Sequence, residues 1–203
     1  KSLSRFQKDL VFAEGKKRLA AKIEKLKQYP ELTFCDFGTR RRFSAEWQEY
    51  VVKTLVEELP GQFLGTSNTY LAMKYDLLPM GTSAHEMYMV LAGIMSQSDE
   101  TIRASHNAML QIWEKTYGLS LSVSLTDTYG TNFFFSDMTD KQAKEWKGLR
   151  HDSANPFRFG ENSILFYKNK NVDPSKKMIV WSNELKVDLI IELYNHFIGR
   201  IIS

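Results

Sequence analysis

Two hydrophobic periods alternate along this chain, one helical and one strand-like. Residues 4–30, SRFQKDLVFAEGKKRLAAKIEKLKQYP, set Phe6, Leu10, Leu19, Ile23 and Leu26 at helical spacings and stop at Pro30. That pattern predicts one long helix, or two shorter ones meeting at Gly15. Short apolar or β-rich runs follow at LTFCD, QFLG, LLPMG, SVSLTD, GLRHD, KMIVWS and GRIIS, most of them closing on Gly, Ser, Thr or Asp. These read as strands. Between them AEWQEYVVKTLVEEL, NTYLAMKYD, HEMYMVLAGIM, ETIRASHNAMLQIWEKTY, FRFGENSILFYKNKN and KVDLIIELYNHF carry the helical period. Ser44, and Asn155 followed by Pro156, stand where N-caps belong. Strands returned by helices make a parallel sheet. The pattern therefore predicts an α/β fold, a (β/α) barrel or a large part of one, with a doubly wound sheet as the alternative. No internal repeat, linker or low-complexity segment interrupts it.

Composition narrows this picture only a little. The chain has 203 residues, 43% hydrophobic and 25% charged, which is enough apolar material for one ordinary globular core. Its formal charge of +3 comes from 27 basic against 24 acidic residues, too even a balance to point to nucleic acid or a membrane surface. Any anion site must be local. Cys35 is the only cysteine, so an intrachain disulfide and a cysteine-cluster zinc site are both excluded, and a reducing, cytoplasmic compartment is expected. No apolar run reaches the ~18 residues a membrane helix needs, and no signal-peptide pattern opens the chain. Its start at Lys1 rather than at a methionine suggests a fragment or a processed product.

In a parallel α/β fold the residues just after the strands converge on one face, where binding and chemistry occur. Here those ends read DFGTRRR, GTSN, MGTSAHE, LTDTYGT, LRHDS and WSNE. They supply Arg40, Arg41, Arg42 and Arg150, the carboxylates of Asp36, Asp127 and Asp152, the imidazole of His85, and several glycine-hydroxyl turns. Guanidinium forks match carboxylates and phosphates, and such turns expose backbone N–H groups to oxyanions. The constellation calls for a polyanionic ligand.

The motifs DFGTRRRFS, LGTSN, PMGTSAHE, LTDTYGTNFF and GLRHDS, in that order, resemble those of nicotinate phosphoribosyltransferase from about Leu32 to the end of the chain. The helical period at the start of the chain gives a helical segment at 1–30, and the resemblance implies a partial α/β barrel of the type II phosphoribosyltransferase kind at 31–203. It also implies that the family's amino-terminal domain and last barrel strands, with a glycine-rich phosphate loop expected after Ser203, are absent. The implied reaction is ATP-assisted transfer of phosphoribosyl from 5-phosphoribosyl 1-diphosphate to nicotinate, an entry to NAD.

Phe37 and Arg40 would line the pyridine ring, with Arg40 offering a cation to its carboxylate. Arg41 and Arg42 would face diphosphate or support nearby loops. Ser67, beside Asn68, stands where nicotinamide-specific relatives carry a carboxylate, and a neutral residue there suits an anionic substrate. His85 would be the histidine transiently phosphorylated by ATP, with Asp127 orienting its ring so that the other nitrogen stays nucleophilic. Arg150 would bind phosphate and Asp152 ribose hydroxyls, with Thr82 and Ser182 as further substrate-binding positions. Mg2+ would accompany the phosphates without a direct protein ligand. A cytoplasmic homodimer with no nucleic-acid or membrane partner completes the expectation.

Plainer roles stand beside these. Asp127 and Asp152 could cap turns, and His106 and His196 fall within helical patterns. His151 is expected to line the site without acting in it, and Phe133, Phe134 and Phe135 to pack in a core or dimer interface. Met73, Met80, Met87, Met89 and Met95 are expected to fill the core, and Lys16, Lys17 and Arg18 to form a solvated face. Two departures from the family pattern bear on activity. Ala154 replaces the usual glycine, at a cost if that position needs a positive φ, and Asn183-Glu184 follows Ser182 where an acid and a small residue are usual. They favour, as an alternative, a diverged or truncated non-catalytic binding protein on the same scaffold. A metal-dependent hydrolase built on His85, Asp127, His151 and Asp152 lacks ligand spacing of the His-x-His kind.

Overall fold

The computed structural model describes residues 5–202. They form two compact units divided between Gly81 and Thr82.

The first unit opens with α1 (Arg5–Leu26), one unbroken helix. Gly15 does not end it. A Cβ at Gly15 would lie 2.5 Å from the Trp47 ring, so the glycine is the notch that seats Trp47. Helix α1 packs on α2 (Ala45–Glu58), and residues 1–4 of the helical stretch expected at 1–30 lie outside the described residues. Ser44 caps α2 as expected, its Oγ accepting from the Trp47 N–H at 3.0 Å. A parallel sheet follows in the order β1 (Phe34–Asp36), β2 (Phe63–Thr66), β3 (Leu78–Pro79). A 3-10 turn, Thr39–Arg41, leads from β1 toward α2, and α3 (Thr69–Lys74) returns β2 to β3. Leu19, Ile23, Leu26, Leu32, Val52, Leu55, Phe63 and Leu71 are buried here. Buried Gln62 gives its amide to the carbonyls of Leu26, Tyr29 and Leu32 and so satisfies the end of α1.

The second unit runs α4 (His85–Ile94), α5 (Asp99–Tyr117), β4 (Val123–Leu125), α6 (Thr131–Asp137), α7 (Asp140–Glu145), β5 (Gly148–His151), α8 (Pro156–Asn169), β6 (Met178–Trp181) and α9 (Val187–Phe197). Strands β4, β5 and β6 form a second parallel sheet, with Leu125 opposite Arg150 and Arg150 opposite Val180. Asn155 caps α8, accepting from the Arg158 N–H at 3.0 Å, with Pro156 in the first turn as expected. The expected strand GRIIS makes only the bridge from Ile202 to Met178, and its last residue, Ser203, lies outside the described residues. Helices α6 and α7 were not expected from the pattern. Each is too short to show a period, though α7 carries a capping box of Thr139 and Gln142.

Phe134 is fully buried and Phe135 stacks on Phe166 at 4.5 Å, so this aromatic run packs in the core. The methionines depart from expectation. Met73 and Met89 are 76% and 60% exposed and Met87 is also exposed, so only Met80 and Met95 are partly covered. Among the described residues no helix is long and apolar enough to cross a membrane.

Candidate active site

In the first unit the ends of β1 and β2 are tied together through Asp36. Its Oδ2 accepts from Gln48 Nε2 and from the Thr66 hydroxyl, both at 2.8 Å, and its Oδ1 accepts from the Gly38 N–H at 2.9 Å. Gly38 is needed for this approach, since a Cβ there would lie 2.8 Å from Asp36 Oδ1. Gln48 Oε1 in turn accepts from Arg42 at 3.1 Å and from Asn68 Nδ2 at 3.2 Å. The three arginines therefore divide. Arg42 braces this network, while Arg40 and Arg41 are exposed and have no side-chain partner among the described residues. Phe37 stands exposed beside them. Asn68 is spent on structure, its Oδ1 capping α3 at Leu71 N–H. The Ser67 hydroxyl makes no hydrogen bond among the described residues, while its N–H donates to the Asp36 carbonyl at 2.8 Å.

Buried Gln48 was not anticipated. The signal for it was one polar side chain on the face of α2 that otherwise buries Val52 and Leu55.

In the second unit, Arg150 near the end of β5 ties together Asp152 after β5, Ser182 after β6 and Thr82 ahead of α4. Its Nε donates to Ser182 Oγ at 2.9 Å, its Nη1 to Thr82 Oγ1 at 2.7 Å and its Nη2 to Asp152 Oδ1 at 2.8 Å. Ser182, directly after β6, also has its Oγ 2.7 Å from the His151 carbonyl. His85 opens α4, where the helix dipole is positive. Its Nε2 lies 3.1 Å from Asp152 Oδ2 and 3.7 Å from Asp127 Oδ1, and its Nδ1 lies 3.0 Å from Thr128 Oγ1. A carboxylate can only accept, so Nε2 carries the proton in this arrangement and Nδ1 keeps a lone pair.

Asp152 is thus the carboxylate in hydrogen-bond contact with His85. Asp127 sits just beyond that range, its Oδ2 accepting from Ser153 and its buried Oδ1 having no hydrogen bond among the described residues. Neither aspartate caps the helix that follows it, since Gly130 stands at the N-cap of α6 and Asn155 caps α8. Burial raises the Asp152 carboxyl, but the Ser182 hydroxyl, the Arg150 charge and His85 together hold it below the ordinary range.

The remaining histidines make contacts of their own outside the His85 pair. His151 is buried, its Nε2 is 3.2 Å from the Ala154 carbonyl, and burial chiefly lowers its pKa. His106 pairs with Asp137 at 2.6 Å and stacks on Tyr88, and His196 pairs with Glu161 at 2.8 Å. Burial pushes the Cys35 thiol up to about 11, which leaves it unreactive.

The departures noted in the sequence have a backbone consequence. Ala154 has φ 68° and Glu184 has φ 47°, so residues with side chains occupy left-handed turns just after β5 and β6. His85, Asp127 and Asp152 offer ligand atoms all within 4.8 Å of one another. With Arg150 as the one cation against two carboxylates, the cluster holds a net negative charge that a divalent ion or a protonated imidazole would offset.

Parallel strands whose C-terminal ends carry arginine, carboxylate, hydroxyl and histidine groups define an α/β protein equipped to handle anionic ligands. Residues 32–202 match the Nicotinate phosphoribosyltransferase (NAPRTase) family, and the chain belongs to that family. Among solved structures it is similar to nicotinate phosphoribosyltransferase from Porphyromonas gingivalis, at 31% identity and TM-score 0.87 over 94% of this chain and 48% of that one. The enzyme from Vibrio cholerae is 34% identical with TM-score 0.82, over 94% of this chain and 44% of that one. A putative nicotinate phosphoribosyltransferase from Saccharomyces cerevisiae is 26% identical with TM-score 0.81, over 92% and 46%. The chain therefore spans under half the length of these structures, and its α/β elements are those of part of the type II phosphoribosyltransferase fold.

Proposed function

We propose that this chain carries the catalytic cluster of an ATP-coupled nicotinate phosphoribosyltransferase, which forms nicotinate mononucleotide and diphosphate from nicotinate and 5-phosphoribosyl 1-diphosphate. The observation that carries the proposal is His85, held at the start of α4 with one ring nitrogen on Asp152 and the other on the Thr128 hydroxyl. ATP would phosphorylate the ring nitrogen that keeps its lone pair, and hydrolysis of that phosphoramidate would drive the overall equilibrium. Transfer itself breaks the bond between ribose C1 and the diphosphate oxygen and forms one to the pyridine nitrogen. Positioning and charge stabilisation do most of that work.

Arg40, exposed and unpartnered beside Phe37, supplies the cation for the pyridine carboxylate. Neutral Ser67 and Asn68 admit that carboxylate where an acid would repel it. Arg150, Thr82 and Ser182 serve the phosphates and Asp152 the ribose hydroxyls. Magnesium would neutralise diphosphate charge without a direct protein ligand, and Asp127, whose buried Oδ1 lacks a hydrogen bond among the described residues, would reach it through water. A homodimer is part of the same proposal.

The second reading, a non-catalytic binding protein on this scaffold, is favoured by the left-handed Ala154 and Glu184. The two separate in one assay, in which the chain is incubated with nicotinate or nicotinamide, phosphoribosyl diphosphate, ATP and Mg2+. Nicotinate mononucleotide, absent in His85→Ala and absent with nicotinamide, supports the enzyme. Saturable nicotinate binding with no product supports the binding protein.

A further inference from the structure

His151 closes β5 and lies within the sheet, 1% exposed, its ring 5.0 Å from that of Phe159 and 5.7 Å from that of Trp181. The residues after it turn outward, and Ser153, Ala154 and Asn155 are all exposed. Ser153 and Ala154 make no backbone–backbone hydrogen bond among the described residues. Ala154 nonetheless holds φ 68°, a left-handed conformation that is unfavourable for a residue with a Cβ and persists only where its surroundings enforce it. Arg150 and Ser182 hold the Asp152 Oδ1 at the start of this turn, and the side chain that reaches its left-handed residue is His151, with Nε2 3.2 Å from the Ala154 carbonyl. A carbonyl only accepts, so Nε2 bears the proton, and the buried Nδ1, which has no hydrogen-bond partner among the described residues, keeps its lone pair.

The same turn carries two side chains of the reactive cluster. Asp152 faces His85 Nε2 at 3.1 Å, and Ser153 donates to Asp127. We propose that His151 is a positioning residue for His85: its Nε2–H, given to the Ala154 carbonyl, holds the strained turn and thereby sets Asp152 and Ser153 in the cluster. Without that bond Ala154 relaxes toward negative φ, and the carboxylate leaves the imidazole. Glycine at 154 has no such preference and keeps the turn without help. The proposal rests on the reading of His85 as the reactive imidazole, but its test does not use turnover.

The test is 15N-imidazole NMR of the whole histidine-labelled chain at one fixed pH. The wild type is compared with His151→Phe, which keeps a ring against Phe159 and Trp181, and with His151→Phe/Ala154→Gly. In the wild type His151 is expected as the Nε2–H tautomer. In His151→Phe the His85 signals are expected to shift to those of an imidazole without a carboxylate partner, and in the double variant to return. An Nδ1–H tautomer for His151, unchanged His85 signals in His151→Phe, or a shift that Ala154→Gly does not reverse would each overturn the proposal. If His151→Phe does not fold, the wild-type tautomer decides. Failure of ATP to phosphorylate His85 in every variant counts against the proposed function alone and leaves this result standing.

Discussion

Asp152 contacts His85 from its Oδ2, at 3.1 Å, while its Oδ1 is held by Arg150 at 2.8 Å, so one carboxylate couples the imidazole to the guanidinium. Asp127, at 3.7 Å, stands next to this pair without closing a hydrogen bond to the ring.

That relationship sets the acid limb of stability. The folded Asp152 carboxyl is depressed, so its contribution is fully present above the ordinary aspartate value of about 3.9 and is lost as pH falls through the lower folded value. Asp152→Asn is expected to lower stability at neutral pH and to flatten the part of the acid decline that lies below about pH 3.9. Urea unfolding across that range checks it. An unchanged acid limb would show that Asp152 is not held by Arg150 and Ser182.

Gln48→Ala removes the amide that serves Asp36, Thr39, Arg42 and Asn68 together. The cost expected is about 1–3 kcal/mol, because buried partners are left unmatched. Nicotinate affinity should fall as well, since Asp36, Gly38 and Asn68 carry the loops around Phe37 and Arg40. Chemical denaturation and calorimetric titration measure the two effects. Wild-type stability would contradict the network.

Gly148→Ala places a Cβ 2.1 Å from the Met178 carbonyl on the neighbouring strand. Backbone cannot step aside as a flexible side chain can, so a loss of about 2–3 kcal/mol is expected, read as a lower Tm. A Tm equal to wild type would mean that β5 and β6 do not pair in this register.

The fold was legible where local chemistry was strong. Ser44 and Asn155-Pro156 announced two helix starts, and the strands from β1 to β6 showed as short apolar runs ending in small polar residues. Helices α6 and α7 were not, because six or seven residues give no period and their aromatics suit a core in any conformation. The methionines misled for a related reason. Hydrophobicity tells which residues could be buried, and Met73 and Met89 face outward in the described residues. In the site, His85, Arg150 and Asp152 were named from strand ends and Thr82 and Ser182 from the family resemblance, and the structure brings them together. Gln48, Thr128 and Ser153 were not, since only the tertiary arrangement aims an ordinary polar residue at another side chain.

Glu184→Gly removes a carboxylate and a left-handed side-chain-bearing residue from the turn after β6. Relief of strain and the added freedom of glycine nearly offset, so stability is expected to stay within about 1 kcal/mol. Affinity for phosphoribosyl diphosphate is expected to rise, because a negative charge leaves the phosphate side. Calorimetry on both proteins checks this, and equal affinities would place Glu184 outside the phosphate site.

The most direct test of the account is incubation of the chain with radiolabelled ATP and Mg2+, scoring acid-labile, alkali-stable phosphate on His85. The account predicts label in the wild type, its loss in His85→Ala, and a strong reduction in Asp152→Asn. A folded wild type that takes up no label, or label that survives in His85→Ala, would contradict it.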